Sequence, residues 1–131
     1  MMRRKVIFIG SSLDDIQDFP KEVKSEIGFS LYMAETGGKA LNAVPLTGFG
    51  NASVPEIIVD HDGDTYRAVY TVRFAQAVYV LHAFKKKAMR GSETPLKEMA
   101  VVRSRLKAAQ AHYELNFGKI VRKRNADQKE R

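Results

Sequence analysis

The order of elements legible in this 131-residue chain, β-α-α-β-β-β-α, predicts a small α+β domain built on a twisted, mainly antiparallel sheet. Three observations carry that expectation. A single short strand leads into a helical hairpin near the N-terminus. Three strand-like runs joined by very short turns occupy the middle, and a long amphipathic helix follows them. Residues 1–117 read as one domain, and residues 118–131 as a basic, flexible tail.

The first strand is the run Arg4-Lys-Val-Ile-Phe-Ile9, closed by Gly10. Ser11 and Ser12 are N-cap candidates for the first helix, and Asp14 and Asp15 suit the positive end of its dipole. Pro20 fits the first position of a second helix, capped by Asp18 or Phe19. Val23, Ile27 and Leu31 give that helix an apolar stripe, and Gly37-Gly38 ends it. Residues 39–53 read as a loop punctuated by Pro45, Gly48 and Gly50. Strands follow over residues 55–60, 65–73 and 77–84. Asp62-Gly63 signals a tight hairpin between the first two, and Phe74-Ala-Gln76 a short turn before the last. Thr94-Pro95 opens the final helix as cap and first-turn proline. Met99, Val102, Leu106, Ala109 and Tyr113 form its buried stripe, opposite Lys97, Arg103, Arg105 and Lys107. If the helices cover one face of the sheet, the other is free for a ligand.

Composition narrows the function classes. A hydrophobic content of 44% supports a packed core, and a net charge of +7 favours an acidic partner such as nucleic acid, an anionic membrane or an acidic protein. With no cysteine, disulfides and thiolate metal sites are excluded, and His61, His82 and His112 lie too far apart to form a local ligand motif. No cofactor and no metal are expected. The apolar run at residues 6–9 is too short for a signal core or a membrane span, so a soluble, cytoplasmic protein is the simplest reading.

The run Tyr79-Val-Leu-His-Ala-Phe-Lys-Lys-Lys87 places three lysines at a strand exit, a basic rim suited to a polyanion. Together with Gly63-Asp-Thr-Tyr-Arg-Ala-Val-Tyr70, Thr94-Pro95 and the basic helix, it resembles the phage-derived branch of the RelE/HigB-type toxins. Phe19-Pro20, Leu46-Thr-Gly-Phe-Gly50 and Val54-Pro-Glu-Ile57 fit the same branch, so the resemblance spans residues 6–113. It implies a RelE-like fold and a metal-independent endoribonuclease that cuts messenger RNA, usually on the ribosome. It also implies a cognate antitoxin, expected to be a helix-turn-helix protein, with a homodimer or a toxin–antitoxin hetero-oligomer both open. The family pattern is followed at Arg67, Phe84, Lys86 and Lys87. It is departed from at Val44 and Thr47, where relatives often carry lysines, and at Ala88 and Met89, where they tend to carry a hydroxyl and a base.

Under that resemblance Arg67, His82 and Lys86 are the candidate catalytic residues. Lys85, Lys87, Phe84, Arg73 and Arg90 are candidates for RNA binding. Arg67 would stabilise charge on the phosphorane, because guanidinium grips two phosphate oxygens. Its bland counterpart is a strand arginine paired with Glu56. His82 would move protons, with an ordinary pKa near ~6.5, or would simply be a satisfied core histidine. Lys86 and Lys87 would hold the RNA backbone, whereas Lys85 faces the other way if the strand persists. Phe84 would stack a base or pack in the core. Tyr66, Tyr70 and Tyr113 read as packing. Two hairpin registers remain open: if Arg73 faces Val78, Arg67 shares a face with His82; if Arg73 faces Ala77, it shares a face with Lys85. The rival function is a non-catalytic binding module of the same fold. A gyrase-directed toxin of the ParE type is a third.

Overall fold

The computed structural model describes residues 3–38, 40–49, 53–86 and 93–129. Its elements run β1 (Lys5–Phe8), α1 (Ser12–Gln17), α2 (Lys21–Glu35), β2 (Ala43–Pro45), β3 (Pro55–His61), β4 (Asp64–Thr71), β5 (Ala77–Lys86) and α3 (Leu96–Lys129). The strands form one sheet in the order β1-β5-β4-β3-β2. β1 lies parallel to β5, and the other three pairings are antiparallel.

Local chemistry accounts for most of the boundaries. In the β3–β4 hairpin, His61 pairs with Asp64 across a two-residue loop, and both Asp62 and Gly63 have positive φ. That is the primed turn whose twist matches the flanking strands. α2 ends in a Schellman motif: the Gly38 amide donates to the Met33 carbonyl (2.7 Å) and the Gly37 amide to Ala34 (3.1 Å), with Gly37 at φ 86°. Pro20 is the residue before α2 rather than its first, and neither Ser11 nor Pro20 makes a side-chain cap. The Ser11 hydroxyl donates instead to Asp15 Oδ2 at 2.8 Å.

Three expectations are corrected. Residues 43–45, read as loop, form an edge strand on β3; three residues ending in proline leave too little pattern to recognise, and an edge tolerates the missing donor. Helix α3 runs through Gly118 to Lys129 instead of stopping at 117–118. One glycine costs a helix only about 1 kcal/mol, which the flanking helix formers outweigh. The helices also cover both faces of the sheet. α1 and α2 contribute Ile16, Val23, Ile27 and Leu31, packed on Ile57, Tyr66, Ala68, Val78 and Val80. α3 lays Met99, Val102, Ala109 and Tyr113 on Val69, Tyr79 and Leu81. The physical reason is visible in β5, where Val78 and Val80 face one side while Tyr79 and Leu81 face the other. A strand apolar on both faces must be covered on both.

Candidate functional site

The face that matters is set by one irregularity. Toward the turn, Thr71 pairs with Tyr79 and Tyr70 with Val80; past it, Val69 pairs with His82 and Arg67 with Phe84. Leu81 is therefore an extra residue, a β-bulge. Of the two registers read from sequence, the Ala77 type holds before the bulge and the Val78 type beyond it. Side chains of directly paired residues lie on one face, so Arg67, His82, Phe84 and Lys86 all face the α3 side.

Arg67 and Glu56 form an ion pair with side chains only 3% and 2% exposed. Arg67 Nη1 donates to Glu56 Oε1 at 3.0 Å. Thr94, just ahead of α3, donates to both Glu56 oxygens at 3.1 and 2.8 Å, and its own oxygen lies 3.5 Å from Arg67 Nη1. Thr94 thus spends its hydroxyl on this pair instead of capping the helix. Burial pushes the Glu56 carboxyl above its ordinary range, opposed by the hydrogen bond from Thr94 and by the charges of Arg67 and Lys86. Arg67 is the countercharge that this enclosed carboxyl faces.

His82 is buried and stacks on Phe84, with ring centroids 5.2 Å apart. Arg105 Nη1 donates to His82 Nδ1 (3.2 Å) and to the Leu81 carbonyl (3.1 Å), and Nη2 donates to Ser11 Oγ (3.0 Å). A guanidinium has no acceptor, so Nδ1 must accept and the ring proton is assigned to Nε2. Nε2 lies 3.4 Å from Glu98 Oε2, an ion-pair distance rather than a well-formed hydrogen bond. Burial holds the His82 pKa below its usual value, with Glu98 opposing and Arg105 assisting. The half-buried Lys86 ammonium donates to the Glu93 carbonyl at 2.9 Å.

The remaining candidates divide. Lys85 is on the opposite face, 3.1 Å from Asp64 Oδ2 and 5.8 Å from the Tyr66 ring centroid. Asp64 holds its ammonium above the usual lysine range, first through their hydrogen bond. It cannot join His82 and Lys86 at one site. Arg73 lies at the β4–β5 turn, where its Nε donates to Ser53 Oγ (3.3 Å), at the far end of the hairpin from Lys86. Lys87 and Arg90, with Ala88 and Met89, lie outside the described residues. Sequence reasoning missed Thr94, Glu98 and Arg105 as members of this constellation. In the sequence Thr94 reads as a cap and Arg105 as part of the solvated face, and Glu98, one turn before Val102, carries no distinguishing signal. A groove of about 630 Å³ lies elsewhere, between α2 and β3, lined by Lys21, Glu26, Phe29, Asp60 and His61 among others. Among the described residues no group of three or more His, Asp or Glu side chains could hold a metal ion.

A five-stranded sheet with this order, an N-terminal helical hairpin and a C-terminal helix defines a RelE-like α+β fold. One similar solved structure is a double arginine-to-alanine mutant of the E. coli toxin RelE in the free state, 18% identical with a TM-score of 0.54, covering 79% of this chain and 98% of that one. Another is the isolated E. coli RelE toxin, 22% identical with a TM-score of 0.49, covering 76% and 97%. No curated protein matches the chain. Residues 14–107 match the family described as phage derived protein Gp49-like, and the chain belongs to that family. The resemblance read from the β4, β5 and Thr94-Pro95 motifs is thereby borne out.

Proposed function

We propose that this protein is the toxin of a type II toxin–antitoxin pair, acting as a metal-independent endoribonuclease on messenger RNA at the ribosome. The observation that carries the reading is the bulge at Leu81, which turns His82 and Lys86 to the face that holds Arg67. Family membership and the fold shared with a RelE toxin support it. Cleavage without a metal needs a proton acceptor for the 2′-hydroxyl, cations for the developing charge and a proton donor for the leaving oxygen. His82, with Nδ1 taken by Arg105 and its proton on Nε2, is placed to donate a hydrogen bond through Nε2 to a phosphate or leaving-group oxygen. Arg67 and Lys86 supply the cations, and Phe84, half-buried beside His82, offers a stacking surface for a base. Lys87 and Arg90 would extend the RNA contact, and a helix-turn-helix antitoxin would hold the toxin inactive. No helix among the described residues is long and apolar enough to cross a membrane.

Induced expression should arrest bacterial growth, and the Arg67→Ala and Lys86→Ala variants should not. Lys86 is the cleaner test, because its side chain is half-buried where that of Arg67 is almost fully enclosed. Normal growth with well-folded wild type would count against a toxin.

One observation favours the rival reading, a non-catalytic module that binds RNA or protein. Arg67 is sealed by Glu56 and Thr94, as a structural ion pair would be. Mapping new RNA ends by primer extension in a translating extract separates the two.

A further inference from the structure

The three candidate catalytic side chains are all held by one short stretch of chain. Lys86 donates to the carbonyl of Glu93, Arg67 and its partner Glu56 contact the hydroxyl of Thr94, and His82 Nε2 faces the carboxylate of Glu98. Carbonyl, hydroxyl and carboxylate are oxygen groups, each set against a group that a phosphodiester would also address. The stretch runs over the entrance to α3, with Pro95 between Thr94 and the first helical residue, Leu96. Pro95 has no amide hydrogen to give, and its carbonyl accepts the Glu98 and Met99 amides. The stretch is therefore continuous with the first turn of α3, and its withdrawal includes that turn.

We infer that residues 93–98 are an intramolecular latch that occupies the RNA site of the free protein and must withdraw before a phosphodiester can reach Arg67, His82 and Lys86. The inference rests on the ribonuclease reading for the identity of the ligand. In the latched state the Arg67 guanidinium is 3% exposed and faces Glu56 and Thr94. Withdrawal of Thr94 would uncover the guanidinium on its α3 side while Glu56, on the neighbouring strand, continues to orient it. Withdrawal of Glu98 would leave Nε2 of His82 facing the incoming substrate, with Arg105 still holding Nδ1. The apparent affinity for RNA is then the intrinsic affinity reduced by the fraction of molecules that are open. Loosening the latch should tighten binding, the reverse of what loss of a contact residue does.

The test uses the full chain and a non-cleavable 2′-O-methyl single-stranded RNA, read by fluorescence anisotropy at fixed salt. Thr94→Val keeps the branched shape and removes the hydroxyl that serves Glu56. Losing hydrogen bonds to a charged group should shift the closed–open balance enough to tighten RNA binding by about tenfold. Thr94→Ser retains the hydroxyl and should bind as wild type does. Amide hydrogen exchange over residues 93–98 should also rise when wild type binds RNA. Unchanged or weaker binding by Thr94→Val would overturn the latch, as would undiminished protection of residues 93–98 in the complex. Failure of this inference is distinguishable from failure of the ribonuclease reading. Tighter binding by Thr94→Val with no RNA ends produced by any form keeps the latch and removes the catalysis. RNA cleavage by wild type with no affinity change in Thr94→Val does the opposite.

Discussion

Replacing Arg67 by methionine removes the guanidinium from a pair whose side chains are almost fully enclosed. Methionine fills much of the same length, so a cavity is a minor part of the cost. What remains is a buried Glu56 carboxylate with the Thr94 hydroxyl as its donor. Leaving one member of a buried pair uncompensated costs about 3–5 kcal/mol. Glu56 can limit that cost by taking up a proton. Keeping a carboxyl with an ordinary value of 4.5 protonated at about pH 7 costs about 3.4 kcal/mol, at about 1.36 kcal/mol per pH unit. The destabilisation of Arg67→Met is therefore capped near 3.4 kcal/mol at about pH 7 and shrinks to about 0.7 kcal/mol at about pH 5. The direction follows from linkage: the variant's native state holds a proton that the unfolded chain releases above 4.5, so its stability relative to wild type falls as pH rises. Urea titrations followed by far-ultraviolet circular dichroism at the two pH values measure this. A loss below about 1 kcal/mol at neutral pH, or one independent of pH, would refute a buried ion pair at this position.

Other consequences are as specific. Burial holds the His82 pKa below its ordinary value of 6.5, with Glu98, Arg105 and Asp15 as the charged groups that act on it. Its contribution to stability should be complete above 6.5 and lost as pH falls from there toward the folded value, because the unfolded chain binds the proton first. Acidification should thus weaken wild type more than His82→Gln in paired urea titrations, and equal losses would contradict a neutral, buried imidazole. Gly10 has φ 58°, and a Cβ there would lie 2.7 Å from Arg105 Nε. Gly10→Ala should cost about 1–2 kcal/mol of backbone strain and also push Arg105 off Ser11 and His82. A thermal midpoint equal to that of wild type would show the left-handed turn to be unnecessary. Any RNA affinity should fall steeply with added salt, since its main source is phosphate neutralisation by the lysines and arginines; a flat salt response would point to a protein partner instead.

Much of this architecture was legible because single residues carry strong local constraints. Asp62-Gly63 admits few backbones other than a primed hairpin turn, and Gly37-Gly38 closes α2 with the amide bonds its type allows. The site was legible only in its ingredients. Arg67 with Glu56 was read as one of two outcomes for that arginine, and the pair does form. Which face His82 and Lys86 share with it depends on the bulge at Leu81. Leucine there carries no glycine or proline to mark an extra residue, so the hairpin register stayed open. The covering of the second sheet face was recoverable from the unbroken apolar run of β5, which reads differently from a half-solvated strand. The use of Thr94 and Glu98 by side chains of distant strands was not recoverable, because no local pattern separates a cap or a first-turn acid from a tertiary contact.

The most direct test of the account is the appearance of new RNA 5′ ends in a translating extract, compared between wild type and Lys86→Ala. The account predicts discrete ends within the open reading frame with wild type and a loss of those ends in the variant, with both proteins folded by circular dichroism. Ends of equal intensity with both proteins, or none with wild type while translation proceeds undisturbed, would contradict it.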